Sequence, residues 1–424
     1  MKCCAAAIIA LALAGGGCGR SKPAAAPADG DGVGNPGDPD GGLGAGDTGD
    51  DTASGEVPPL VLPPECADAA QPPTTLVCTG LYADIVGKQL APGVAAYAPA
   101  VPLWSDGAEK QRWISLPAGS TIDNADPNEW KFPVGTKVWK EFSRDGRRVE
   151  TRLWQKLRDN YWVNATYAWN DDESAAMKSA GGDIPFGSDG DTYHIPTNDE
   201  CEKCHRGRTD RLLGFEQIGL GLPGATGLTL GALVAAGRLT TPPATTEMVI
   251  GDDGTGVAAP ALAWLHSNCG TTCHNGNSNA SAYGSGLRMR LDATMLDGRS
   301  SAGFDTLRTA VGVMVNAPNW KGQTRIVPGD PDKSLLYHLI THRGTGDQMP
   351  PIASRLVDQD HTPLVQAWIS QMPPAPAPSP DGGVDAPDEV SDGATAAPDP
   401  DASDEALGPL DGADAADEAP SGLP

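Results

Sequence analysis

Residues 198–207 read NDECEKCHRG, and residues 267–276 read SNCGTTCHNG. Each stretch places two cysteines just ahead of a histidine: Cys201, Cys204 and His205 in the first, Cys269, Cys273 and His274 in the second. No other feature restricts the fold as much, because two thiols and an imidazole on one turn of chain must end beside whatever they bind. The first stretch is an unbroken C-x-x-C-H, the signature of covalent haem attachment. Two thiols add to the two vinyl groups, and the adjacent imidazole ligates iron from one face. The second stretch has three residues between its cysteines, a near match that a metal site or a disulfide would also satisfy. Zinc needs four ligands, and the two pairs lie much farther apart than in compact zinc ribbons. A thioredoxin-like dithiol opens a helix inside a βαβ unit, which the flanking sequence does not suggest.

The chain has nine cysteines. Cys3, Cys4 and Cys18 fall in the opening MKCCAAAIIALALAGGGCGR, where Lys2 precedes an apolar run too short to span a bilayer. This is the pattern of an export signal. The small residues before Cys18 resemble a lipobox, with Gly15 in the usual place of leucine, so acylation at Cys18 is expected to anchor the chain to a membrane. Cys66 and Cys78 have no histidine nearby and are expected to form a structural disulfide.

Residues 1–18 are thus expected to be a lipoprotein-type signal segment. Residues 19–59, rich in Gly, Asp and Pro, and the acidic tail 372–424 have too few large apolar residues to offset chain entropy and are expected to be disordered. Most of the formal net charge of −25 falls in these two segments. Solvated carboxylates account for it, and no basic patch points to nucleic acid.

Between the two segments, RWISLP (112–117), TKVWKEFS (136–143), RRVETRLWQKL (147–157) and YWVNATYAWN (161–170) alternate in part and are rich in aromatic and β-branched residues. Turn signals such as PAGS and RDGR separate them. Residues 60–200 are therefore expected to form a β-rich domain, an antiparallel sandwich or open barrel. Its tryptophans could line a sugar site, although core packing is their commoner use. Residues 201–250 hold the first motif and a helical connector, LTLGALVAAGRL (228–239), which would pack close to that motif.

Residues 251–371 are expected to be a mostly α-helical domain. APALAWLHSN (259–268) predicts a helix leading into the second motif, and DHTPLVQAWISQM (360–372) predicts a closing amphipathic helix with Pro363 in its first turn. In GDQMPP, Met349 lies in a proline-braced loop away from any helical stripe. It is the candidate thioether ligand opposite His274, since a Met/His pair suits an electron carrier. His338, His342, His361 and His266 are alternatives. For the first motif only weak distal candidates exist, His194, Met177 and Met248. Gly270 offers a flexible place for the extra residue of the second motif to bulge.

LWSDGAEKQRWISLPAGSTID, WKFPVGTKVWKEF, HIPTNDECEKCH, LAWLHSNCGTTCHN, RIVPGDPDKSLLYHLI and QMPP follow one another in this order. The series resembles a group of exported bacterial proteins described as cytochrome-c-like or dihaem repeat-type, some associated with sugar or sorbosone dehydrogenases. The resemblance covers about residues 79–371. It implies an α+β multidomain chain ending in a cytochrome-c-like domain, with two haem c groups. Cys201, Cys204 and His205 would hold the first, and Cys269, Cys273, His274 and Met349 the second.

The expected function is that of an exported, membrane-anchored c-type cytochrome, a periplasmic or outer-membrane lipoprotein. It would pass single electrons to a dehydrogenase or another cytochrome. No constellation for proton transfer or nucleophilic attack competes with the cysteine motifs, so a catalytic role with its own substrate is not required. Two alternatives stand beside this reading. One is a haem oxidoreductase of peroxidase-like or dehydrogenase-linked type, and the other an exported carbohydrate-binding module with structural disulfides.

Overall fold

Alternating side chains in TKVWKEFS and RRVETRLWQKL, joined by Asp145-Gly146, form the centre of a sheet. Both turn residues have positive φ, 51° and 76°, the requirement of the tight turn whose twist matches paired strands. In the computed structural model, residues 60–67, 71–186, 192–344 and 346–374 are described, and all of them fall within one compact unit. Cys18, the signal segment, the linker and most of the acidic tail lie outside the described residues.

The strands in chain order are β1 (Tyr82–Asp84), β2 (Gln89–Leu90), β3 (Val94–Ala98), β4 (Glu109–Ser115), β5 (Lys137–Arg144), β6 (Arg147–Arg158), β7 (Tyr161–Trp169), β8 (Ala176–Ser179), β9 (Gly182–Pro185), β10 (Thr192–Ile195) and β11 (Thr226–Gly227). Strands β3 to β8 form an antiparallel meander, and β11 pairs with β3 to give a sheet of seven strands. The pairs β1–β2 and β9–β10 stand apart as two-stranded sheets. The expected sandwich or barrel is therefore one open sheet. One face is covered by the β1–β2 ribbon and its flanking loops, the other by loops and short helices.

Register decides which residues share a face, because successive side chains point to opposite sides. Trp113, Trp139, Leu153 and Ala165 are mutual cross-strand partners, and pack with Leu76, Leu81 and Tyr82 from the preceding segment. Ile114, Val138 and Trp154 line up on the other face, where Phe215, Leu220, Leu230, Leu233 and Leu239 cover them. Trp113, Trp130, Trp139, Trp154 and Trp169 are buried, so most tryptophans of this half are used as core, while Trp104 and Trp162 are half-buried. Cys66 and Cys78 form a disulfide whose residues lie 12 apart in sequence. Closing a loop of that size removes roughly 3 kcal/mol of unfolded-chain entropy.

The helices are α1 (Asn198–His205), α2 (Gln217–Gly221), α3 (Leu230–Ala235), α4 (Ala258–Leu265), α5 (Asp305–Ala310), α6 (Leu335–Thr341) and α7 (Thr362–Gln371). The connector helix is shorter than LTLGALVAAGRL suggested. Thr229 caps its start, accepting from the Ala232 amide, and Gly237, at φ 61°, follows its end. Helix α7 buries Val365, Trp368 and Ile369 against a core that includes Leu262, Leu265 and Phe304. In the last part of the chain, α4 to α7 are short and separated by long irregular stretches, so this region is less helical than expected. Asn, Gly and Pro punctuate it too often for longer helices.

Candidate functional site

Helix α1 begins with a capping box: the Thr197 side chain accepts from the Glu200 amide, and the Glu200 carboxylate accepts from the Thr197 amide. On the helix that follows, Cys201, Cys204 and His205 stand at i, i+3 and i+4, the spacing that puts three side chains on one face. His205 donates from Nδ1 to the Arg211 carbonyl at 2.5 Å. Arg211 adopts φ 65°, an uncommon backbone state for a residue with a side chain, and so turns that carbonyl toward the ring. The imidazole also stacks on Trp154 at 4.3 Å between centroids. Burial pushes its pKa down to about 3, so the ring is neutral, with its Nε2 lone pair left free. A hydrogen bond that fixes the second nitrogen is what orients a metal-ligating histidine.

The second motif grows from α4 by a change of helix type. Residues His266–Gly270 form a π-helical turn, closed by the Thr271 amide donating to the His266 carbonyl at 2.8 Å. The Cys269 carbonyl likewise accepts from the His274 amide at 2.8 Å, five residues on. A π-bulge is a helix with one residue inserted. With a wider turn, positions i+4 and i+5 take the places that i+3 and i+4 hold in an α-helix. The residue that spoils the C-x-x-C-H spacing is absorbed here, and Cys273 and His274 still follow Cys269 on the same side.

Gly270 has a different role from the one expected. Its backbone is helical, and a Cβ there would lie 2.5 Å from both Arg290 Cα and the Met289 carbonyl carbon. Close approach of the 289–290 segment requires glycine, and flexibility does not.

The two motifs meet. A Cβ on Gly207 would overlap the Thr272 carbonyl oxygen, so these backbones are in direct contact. Ser281 accepts from Arg206 at 3.1 Å and donates to the Lys203 carbonyl at 2.7 Å. Cys204 and Cys273 influence one another across the two motifs, an interaction that raises the Cys204 thiol and lowers the Cys273 thiol. Behind them, buried Glu216 pairs with Arg208 at 2.8 Å and accepts from His266 Nε2 at 3.0 Å. Arg290 reaches Glu216 at 3.5 Å and pairs with Glu129.

Cys201, Cys204, His205, Cys269, Cys273, His274 and Met349 line one cavity of about 820 Å³. The sheet supplies its floor, with Arg112, Val138, Lys140, Arg152 and Trp154, and residues 343–356 close another side. All four motif cysteines are free thiols. Burial pushes Cys269 up to about 12 and pushes His274 down to about 4. Met349 also packs against the small cluster of Val315, Leu335 and Leu339, and its amide donates to the Leu339 carbonyl at 2.9 Å.

The remaining candidates are engaged elsewhere. His194 lines the cavity, but its ring nitrogens are held by Asp183 at 2.7 Å and Glu200 at 3.1 Å. Partial burial lowers its pKa, and these carboxylates outweigh that and raise it. His266 accepts from the Leu291 amide at Nδ1 and donates to Glu216, which leaves no nitrogen for a ligand. His338 and His342 stack on each other at 3.8 Å, and His361 contacts Asp358 at 2.9 Å. Met177 is exposed on β8 and Met248 is buried in the main core. Neither belongs to the cavity wall. The residues that sequence reading missed are Arg112, Lys140, Arg152, Trp154 and Arg211.

Among the described residues, no group of three or more His, Cys, Asp and Glu side chains is disposed to hold a metal ion. No helix among the described residues is long and apolar enough to cross a membrane. No family model matches the chain, and neither the curated proteins nor the solved structures contain a match.

Proposed function

We propose that this chain is an exported c-type cytochrome that carries haem c at both motifs and passes single electrons. Its partner would be a dehydrogenase or another cytochrome, and acylation at Cys18 would hold it to the periplasmic or outer-membrane surface. The observation that carries the reading is the shared cavity: both thiol pairs, both neutral imidazoles and Met349 open into one space of about 820 Å³. Pockets that bury a drug-sized ligand or cofactor are roughly 300–1,000 Å³.

Bound haem supplies the one-electron chemistry. The chain's part is to hold and tune it. Cys201 and Cys204 present two thiols from one helix face, and the Arg211 carbonyl and Trp154 aim His205. The π-turn brings Cys269 and Cys273 to the same wall, and Met349 is the thioether that would complete a Met/His pair with His274. Helix α4, the motif, the Met349 loop and closing helix α7 follow in the order of a cytochrome-c-like domain.

One observation favours the oxidoreductase alternative. His194, the nearest distal candidate for the first motif, is tied to two carboxylates, so a haem held there would rely on His205 as its protein ligand. Such a haem would have room to bind a small molecule such as a peroxide.

The test is expression with a haem-attachment system, followed by intact mass and spectra. Two covalent haems are expected, one of them lost in the Cys201→Ser/Cys204→Ser variant. A methionine–iron charge-transfer band should disappear in Met349→Ala. A mass without haem, with disulfides at the motif cysteines, would refute the proposal.

A further inference from the structure

On the cavity face of the sheet, Arg112 of β4 stands directly opposite Lys140 of β5, and Lys140 directly opposite Arg152 of β6. Directly paired side chains in a sheet have Cβ atoms about 5 Å apart, and like charges in that relation destabilise it. Three cations in one cross-strand row therefore call for a counter-charge. Arg152 has one, Glu150, at 2.9 Å from Nε. Glu150 is itself fully buried and also accepts from Tyr193 at 2.8 Å, so it is committed to that side of the row.

No carboxylate among the described residues pairs with Arg112 or Lys140. Arg112 is buried, and Lys140 has only the Phe142 ring beneath it, 5.0 Å from Nζ. The acids of the cavity wall, Asp106 and Glu200, are used elsewhere. Asp106 accepts from the Arg355 and Leu356 amides, and Glu200 caps α1 and holds His194. Arg343 and Arg355 add further positive charge to the same wall.

We propose that the Arg112–Lys140–Arg152 row is an anion site within the cavity, shaped to receive carboxylate groups. Its polar heads project into a space large enough for a substantial ligand, and a guanidinium beside an ammonium offers a fork and a point charge to one carboxylate. Burial, reinforced by the neighbouring cations, already holds the Lys140 ammonium well below its ordinary range, a cost that a bound anion removes. The row is independent of the cysteine motifs; only the naming of haem as one source of carboxylates rests on the cytochrome reading. The other source is a free acidic substrate.

The experiment uses the full chain expressed with and without a haem-attachment system, with citrate as the probe and melting temperature as the readout. In the haem-free chain, citrate at a hundredfold excess over its dissociation constant should raise the melting temperature by about 5 °C. That rise should be absent in Lys140→Met and in Arg112→Gln, which also control for the general salting effect of citrate. In low-salt buffer without citrate, Lys140→Met should melt higher than the unsubstituted chain, whereas loss of a merely structural lysine would lower it. If haem-loaded protein no longer responds to citrate, the haem carboxylates occupy the row. If it still responds, the row takes a free acid. Equal responses of the unsubstituted chain and Lys140→Met would overturn the proposal, whether or not the chain carries haem.

Discussion

Replacing Gly270 with alanine separates two accounts of the second motif by the sign of the effect. Gly270 lies in the π-turn with helical backbone, so propensity alone predicts that alanine stabilises by about 1 kcal/mol. The structure predicts the opposite. The new Cβ would lie 2.5 Å from Arg290 Cα and 2.5 Å from the Met289 carbonyl carbon, where carbon atoms are comfortable at about 3.5–4.0 Å. Both neighbours are backbone, so the 289–290 segment must retreat by about an ångström, and no rotamer change can relieve the overlap. That retreat pulls on the Met289 amide, which donates to the His274 carbonyl at 2.8 Å, and on Arg290, which pairs with Glu129 and Glu216. Overpacking of this kind costs about 1–3 kcal/mol, and the engaged partners place the net effect near the upper figure. In a unit of this size that corresponds to a fall of roughly 5 °C in melting temperature. Urea unfolding of the haem-free chain measures it directly. A midpoint that rises in Gly270→Ala would refute the close-approach argument and restore flexibility as the role of this glycine.

Two further outcomes follow from the geometry. Because Cys204 and Cys273 face one cavity and interact across the two motifs, mild oxidation of the purified thiol form should join these two before Cys201 and Cys204; peptide mapping that finds only bridges within each motif would refute that proximity. His205 and His274 are buried neutral, so the unfolded chain takes up their protons below about pH 6.5 while the folded chain does not until about pH 3 and about pH 4. Stability should therefore fall as pH drops below 6.5, by about 1.4 kcal/mol per pH unit for each histidine. His194, raised by its carboxylates, contributes the opposite slope, so the decisive measurement is the difference between the unsubstituted chain and His205→Gln from pH 7 to pH 5. An equal pH dependence of the two urea midpoints would show that His205 is not held neutral.

The central hairpin was legible because local rules and global packing agree there. Alternation marks β5 and β6, and Asp145-Gly146 supplies the turn. Helix α7 was equally plain, with Pro363 in its first turn and Val365, Trp368 and Ile369 on one side. Strand β11 was not legible, since two residues of no marked propensity pair with β3 only through a long-range closure. The π-turn left one trace, the extra residue between Cys269 and Cys273, but its helical accommodation depends on hydrogen bonds that spacing alone does not specify. The cation row was hidden for another reason. Arg112, Lys140 and Arg152 each look like an ordinary solvated charge in a half-buried strand, and only the inter-strand register brings them together.

The cavity wall draws on residues from Tyr97 to Leu356, so its contacts are among the most distant in sequence that the chain makes. Such contacts close late, after local turns and hairpins have formed, because the entropy of a long loop must be overcome first. During synthesis, the segment Asn198–His205 is made well before the Met349 loop. The Cys201 and Cys204 thiols thus pass through an interval in which they are still open to solvent, because part of the wall that encloses them has not yet arrived. Docking of the C-terminal segments ends that interval, an order that follows from the path of the chain.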